Sequence, residues 1–395
     1  MDQNSRHIFG TLKAEAPDAL LALIKAYRDD PRPTKIDLGV GVYRDAAGGT
    51  PVFHSIKAAE KILLETQDSK SYLGPEGDMA FVQGLRPWIF GAGLADDARI
   101  VGVQTPGGTG AVRLAADLLA RTGRDRKVFL GTPTWPNHPP LVHAAGLAVE
   151  TYGYYDAATQ TVRFDAMMQA LATARAGDVA LLHGCCHNPT GEDLTRDQWL
   201  AVAELLSRNG VIPLVDLAYQ GLGHGMAEDA AGLHIILDHC PEVLIAYSCD
   251  KNFGVYRERV GALYVRAADA ATAEVVNSNM LSIARATWSM PPDHGAAAAR
   301  IILQDAALTA DWQAELDSMR DRIRQVRDLL TAKGGILAPV ARQNGLFSML
   351  PLSPDQVKRL RAEHGVYMAG SGRINVAGLT ADNVPVFAAA VQSVL

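Results

Sequence analysis

Between about residue 99 and residue 265, short apolar runs alternate with helical patterns, and this alternation most narrows the folds open to the chain. The runs are Lys127–Leu130, Leu147–Tyr152, Val179–His183, Val211–Asp216, Val243–Tyr247 and Val260–Val265. Nearly continuous apolar runs are what strands look like when both faces of a sheet are covered. A helical pattern over Gln198–Arg208, opened by Thr195 as a cap, separates two of them. The implied fold class is α/β, a mostly parallel sheet sandwiched by helices. Ligands of such sheets collect at the carboxyl ends of the strands.

A chain of 395 residues suits one large domain and a smaller one. The expected division is an N-terminal segment, 1–45, packing with the small domain; a large domain, 46–310; and a small α+β domain, 311–395. In the last, a charged amphipathic pattern over 311–333 is stopped by Gly334-Gly335. Short strands around Phe347–Leu350 and Ile374–Val376 follow, with helices opening at Ser353-Pro354-Asp355 and over Thr380–Val394. No internal repeat or low-complexity linker is visible.

Charged residues make up 20% of the chain and the net charge is −6, with both signs spread along it. That gives no electrostatic case for nucleic acid or an anionic membrane surface. No apolar run is long enough to span a bilayer, and Met1–Arg6 lacks the apolar core of a signal peptide. Four cysteines, two of them adjacent, make no disulfide framework in a chain this size. A soluble, cytoplasmic protein with reduced cysteines is expected.

Chemistry concentrates at three places. Lys251 follows the buried run Val243–Tyr247 in Ser248-Cys249-Asp250-Lys251-Asn252-Phe253-Gly254. An ammonium there either keeps its head in solvent or loses its charge, and imine formation with a carbonyl cofactor is one way to lose it. Asp216 closes another buried run, where a carboxylate needs a cationic partner or a ligand. Pro106-Gly107-Gly108-Thr109-Gly110 precedes a helical run and reads as either a tight turn or an anion site. Pyridoxal 5'-phosphate requires a lysine, a group facing its ring nitrogen and a phosphate cradle, and these three places, with Ser248 and Arg259, offer all of them.

Further motifs follow in order: Asp37–Tyr43, Ser71-Tyr72-Leu73-Gly74, Pro133–His138, His183–Gly191, Asp216–Gly221 and Ser371–Gly378. With the lysine segment they resemble the fold-type I, class I aminotransferases, in the aspartate and aromatic amino acid branch, from about Ile36 to the C-terminus. Taken singly, Trp135 reads as a core aromatic, Asn188 as a turn former, Tyr72 and Tyr219 as half-buried, Arg373 and Arg285 as surface charges. Their order is what raises them above those readings.

The resemblance implies that Lys251 forms the Schiff base and carries the proton, and that Asp216 keeps the ring nitrogen protonated with His138 and His183 behind it. Asn188 and Tyr219 would bond the cofactor's 3-oxygen, and Trp135 would stack on the ring. Gly108, Thr109, Ser248 and Arg259 would hold the phosphate, joined by Tyr72 from the second subunit of a homodimer. Arg373 would clamp the substrate α-carboxylate, and Gly41 would leave room for substrate. Arg285 of the other subunit would bind the distal carboxylate of aspartate or glutamate. The implied reaction is ping-pong transamination between aspartate, phenylalanine or tyrosine and 2-oxoglutarate, since Trp288 and Met290 beside Arg285 would tolerate an aromatic ring.

One position departs from the family: Asp250 stands before the lysine where a serine is common. In an extended segment its side chain should point away from the cofactor and be neutral for catalysis. Three rival readings remain. His183, Cys185, Cys186 and His187 cluster, but not at zinc-like spacing, and no metal is expected. The same cofactor also serves lyases and β-decarboxylases. A sensor protein without catalysis would not need the lysine.

Overall fold

The structure is a computed structural model describing residues 8–15 and 19–395; Met1–Arg6 lies outside the described residues. A 7-stranded sheet runs in the order Ile100–Pro106, Val260–Arg266, Val243–Ser248, Ile212–Leu217, Val179–His183, Lys127–Thr132, Ala148–Gly153. All neighbours are parallel except Val260–Arg266, which is antiparallel to both of its own. Every apolar run picked out in the sequence is a strand, and helices cover the sheet, so the α/β class holds. The strand Ile100–Pro106 was not anticipated. Gly102, Gln104 and Thr105 break its apolar pattern, yet Gln104 and Thr105 are fully buried, the Gln104 amide bonding the Pro292 carbonyl at 2.6 Å.

The antiparallel strand sets up the site. Its register places Gly261 opposite Ser248 on one side and Thr105 on the other. A Cβ on Gly261 would come within 2.5 Å of the Tyr247 carbonyl oxygen and 2.7 Å of the Gly107 carbonyl carbon. Only glycine lets the start of the Gly107–Thr122 helix sit this close to the sheet. The helix then packs Ala111, Leu114, Ala115 and Leu118 into the core.

Elsewhere local signals and structure agree closely. Thr195 and Gln198 form a reciprocal capping box on Arg196–Asn209, and Ser353 with Gln356 forms another on Pro354–His364. The long C-terminal helix begins earlier than its charge pattern suggests, at Ala306, because the Asp305 carboxylate caps it by accepting from the Ala307 and Leu308 N–H groups. Near the N-terminus, Ile36–Asp37 pairs in parallel with Val366–Tyr367, joining the two ends of the chain.

The Ala306–Thr331 helix supports the lysine turn directly. Trp312 is fully buried, donates its indole N–H to the Asn252 carbonyl at 2.7 Å, and stacks on Phe253 at 4.5 Å. Further along, the buried Arg327 guanidinium donates to the carbonyls of Val340, Asn344, Gly345 and Phe347 and to the Ser348 hydroxyl. These bonds pin the Phe347–Met349 strand to the helix. Among the described residues no helix is long and apolar enough to cross a membrane.

Trp312→Ala removes both the ring packing and the bond to the turn. It is expected to cost about 3–5 kcal/mol, read as the loss of unfolding free energy in urea titrations.

Candidate active site

At the carboxyl ends of the parallel strands lies a cavity of about 240 Å³. One wall is acidic. Asp216, near the end of its strand, is 7% exposed, and its Oδ2 accepts from His138 Nε2 at 3.0 Å. His138 is fully buried, and its Nδ1 lies 2.8 Å from Thr134 Oγ1, which in turn lies 3.1 Å from His183 Nε2. With both rings neutral, one orientation satisfies the chain: His183 N–H to Thr134 oxygen, Thr134 O–H to His138 Nδ1, His138 N–H to Asp216. Burial, together with His138, holds His183 down at about 3, which fixes its neutral form. Burial pushes Asp216 up, but the hydrogen bond from His138 and the electrostatic pull of that ring and of Lys251 outweigh it and leave the carboxyl below its ordinary value.

Lys251 faces this wall from the turn after Val243–Ser248, its Nζ 5.0 Å from the Tyr219 ring centre. Burial lowers its ammonium's pKa, with Asp250 and Asp216 opposing, so the amine is more available as nucleophile and base. Tyr219 is 5% exposed, and burial followed by the Asp216 charge raises its phenol, keeping it a neutral donor. The Asn188 amide donates to the Tyr219 hydroxyl at 3.4 Å. Arg373 donates to Asn188 Oδ1 at 3.5 Å and to the Gly39 carbonyl at 2.8 Å, its guanidinium 4.6 Å from the Phe347 ring centre. Among the described residues its buried Nε has no partner. Arg373 also lies, with Trp135 and Ser371, on the wall of a larger cavity of about 1120 Å³ that borders the first at Trp135.

The opposite wall is an anion cradle. Gly108 and Thr109 present the first turn of the Gly107–Thr122 helix to the cavity, beside Ser248 and Arg259. The Arg259 backbone is held at φ +57°, a left-handed conformation that a non-glycine residue adopts at a cost.

Not every expected residue gathers here. Tyr72 is 93% exposed, and Arg285 is exposed at the end of the Ala270–Thr287 helix, bonding Ser289; neither lines the cavity of its own chain. Gly41 packs on Phe347, where a Cβ would lie 2.7 Å from Cζ, so its missing side chain serves that contact.

Asp250 corrects the sequence reading. Its side chain does not point away: it is 3% exposed, lines the cavity, pairs with Arg259 Nη1 and accepts from the Val260 N–H at 3.1 Å. Residues 250–252 form a turn rather than an extended segment, so alternation of side chains does not apply. Sequence reasoning also missed Tyr256, which lines the cavity and accepts the Tyr43 N–H at 2.9 Å, and Thr134, the bridge between the two histidines. The Pro133–His138 motif contains Thr134 but carries no sign of its hydroxyl's direction.

The thiol rival loses its geometry. Among the described residues Cys185 and Cys186 gather with Asp229, not with the histidines, and Asp229 already accepts the N–H groups of Gly221, Gly223 and His224. A hydrogen bond from Cys185 lowers the Cys186 thiol, but burial pushes it up to about 12. His183 and His187 pack instead as aromatic rings, His187 stacked on Tyr154 at 4.2 Å.

The profile of the family described as "Aminotransferase class I and II" matches residues 33–391. The chain belongs to this aminotransferase family. It is 53% identical over 377 residues to the tyrosine aminotransferase of Rhizobium meliloti, covering 94% of this chain and 96% of that protein. It is 46% identical to the aspartate aminotransferase of Escherichia coli, covering 98% of this chain and all of that one (100%). An aromatic-amino-acid aminotransferase from Burkholderia pseudomallei, covalently bound to pyridoxal phosphate, superposes with a TM-score of 0.96 at 38% identity, covering 98% of this chain and 100% of that one.

The chain is thus a pyridoxal-phosphate-dependent aminotransferase, and its own residues fit that cofactor. Among the described residues Asp216 Oδ1 and Arg259 Nη2 have no protein hydrogen-bond partner, although both residues line the cavity. A Cβ on Gly107 would lie 2.6 Å from Arg259 Nη2, filling the cradle.

In the aminotransferase, replacing His138 by Leu removes the hydrogen bond that chiefly offsets the burial of Asp216, and raises its pKa. The loss, about 3 kcal/mol at neutral pH, is expected to shrink as pH falls and the carboxyl takes up a proton. Urea unfolding of His138→Leu and the parent at about pH 7 and about pH 5 checks the sign.

Proposed function

We propose that this aminotransferase moves the amino group of aspartate, glutamate, phenylalanine or tyrosine to 2-oxoglutarate in a ping-pong cycle. The observation that carries the reading is the pairing, in one cavity, of the deprotonation-prone Lys251 with a buried, ionised Asp216. Pyridoxal 5'-phosphate supplies an electrophilic carbonyl and a ring that accepts the electron pair left when the substrate's Cα–H bond breaks.

The residues divide the remaining work. Lys251 would hold the cofactor covalently, and its freed Nζ would be the base that takes the substrate's Cα proton and delivers it to the carbon of the cofactor's former carbonyl. Asp216, kept ionised by His138, would hold a proton on the ring nitrogen. Asn188 and Tyr219 would orient the ring through its 3-oxygen, and Trp135 would cover one face. Gly108, Thr109, Ser248 and Arg259 would hold the phosphate, and Arg373 would clamp the α-carboxylate through its planar fork.

Tyr72 and Arg285 lie exposed and outside their own cavity, which supports a homodimer in which each completes the other subunit's site. The exposed Leu73, next to Tyr72 in the chain, adds apolar surface for that contact. The cysteines are all free, in keeping with a reducing, cytoplasmic setting. Arg285 favours a distal carboxylate, and the names of the relatives, tyrosine and aspartate aminotransferase, support use of both substrate kinds. They do not favour a lyase or decarboxylase.

Titrating the yellow enzyme with aspartate and, separately, with phenylalanine should in both cases bleach the visible band as the cofactor goes to its amine form. A response to aspartate alone would narrow the donor, and no visible band in the parent would sink the reading. Lys251→Ala should abolish turnover. Arg285→Ala should lower kcat/KM for aspartate about 100-fold while changing that for phenylalanine only a few-fold, whereas Arg373→Ala should impair both.

A further inference from the structure

The anion cradle already contains an anion. Asp250 Oδ2 is held by Arg259 Nη1, and a Cβ on Gly107 would lie 3.0 Å from that oxygen and 2.6 Å from Arg259 Nη2. Asp250, Arg259 and the start of the Gly107–Thr122 helix therefore surround one space. The charged groups facing Asp250 are Arg259, Lys251 and, from the helix, the positive end of its dipole. Its other titratable neighbours, the Tyr256 phenol and the Cys249 thiol, are both raised, first by burial and further by Asp250 itself, and stay neutral. A phosphate ester carries close to two negative charges near neutrality. Placed on the same guanidinium as a carboxylate, it meets a like charge in a poorly solvated space.

On the reading that this cradle takes the cofactor's phosphate, we propose that Asp250 couples cofactor binding to the uptake of one proton from solvent, which carboxylate and phosphate then share in a hydrogen bond. Two acidic oxygens with a proton between them attract, whereas both ionised they repel. Burial already pushes the Asp250 carboxyl up, against the lowering by Lys251 and Arg259, and a second anion pushes it in the same direction. The affinity for the cofactor then falls as pH rises, beyond any dependence due to Lys251. A serine here would bond the phosphate without this proton.

The test uses the full-length enzyme, stripped of cofactor and reloaded with pyridoxal 5'-phosphate, as parent, Asp250→Asn, Asp250→Ser and Arg259→Ala. The dissociation constant is followed from about pH 6 to about pH 8.5, and proton uptake is taken from calorimetry in buffers of different ionisation enthalpy. The parent should take up about one proton more than either Asp250 variant, its affinity falling about tenfold more per pH unit. Asn can still accept the Val260 N–H, and Ser provides a second variant should Asn fail to fold. Equal uptake and parallel profiles in parent and both variants would overturn the inference and leave Asp250 a positioning residue for Arg259. Arg259→Ala should weaken binding about 100-fold across the whole range. If it does not, the phosphate lies elsewhere, and the cradle and the proton coupling fall together.

Discussion

Everything at this site depends on keeping ionisable groups out of water without leaving them unmatched. Burial alone would raise the Asp216 carboxyl. It stays ionised because His138, fully enclosed, donates to it from behind, and because Thr134 and a neutral His183 hold that imidazole in place. Lys251 has the opposite arrangement: no hydrogen bond to its Nζ is present among the described residues, and burial lowers its pKa. One carboxylate stabilised in its charged form and one amine tipped toward its neutral form are what transamination asks of a protein.

The frame that brings them together is the sheet. Parallel strands deliver Asp216 and the Lys251 turn to the same edge, because one lies near and the other just past the carboxyl ends of neighbouring strands. The antiparallel strand brings Arg259 back to that edge from the opposite direction, and Gly261 allows the Gly107–Thr122 helix to start against it. From the C-terminal part of the chain, Trp312 braces the lysine turn and Phe347 lies beneath Arg373. The cradle holds one arginine and one carboxylate, so its charge balance differs from that of a cradle with a serine in place of Asp250.

Much of this was readable along the chain, for identifiable reasons. Strands covered on both faces leave nearly continuous apolar runs, so Val211–Asp216 and Val243–Tyr247 announced themselves, while Ile100–Pro106, with its buried Gln104 and Thr105, did not. Caps are local, so Thr195 and Ser353 are legible; Asp305 is not, because the charged pattern after it begins several residues later. The motifs around Lys251, Asp216, Asn188 and Arg373 were recognisable because their chemistry demands those residue types. The error at Asp250 came from treating a turn as a strand.

The sequence by itself determined the class of fold, the family and the identity of the reacting groups, since apolar periodicity and reactive residue types are properties of the chain alone. Tertiary structure alone decided which way side chains point and what surrounds them. Thr134 becomes a bridge only when a strand distant in sequence places His183 on the side opposite His138. Tyr256 meets the Tyr43 N–H across a long stretch of chain, and Asp250 turns toward Arg259 because the backbone bends after Ser248. The burial that shifts Asp216, Lys251 and Asp250 arises from neighbours that only folding supplies.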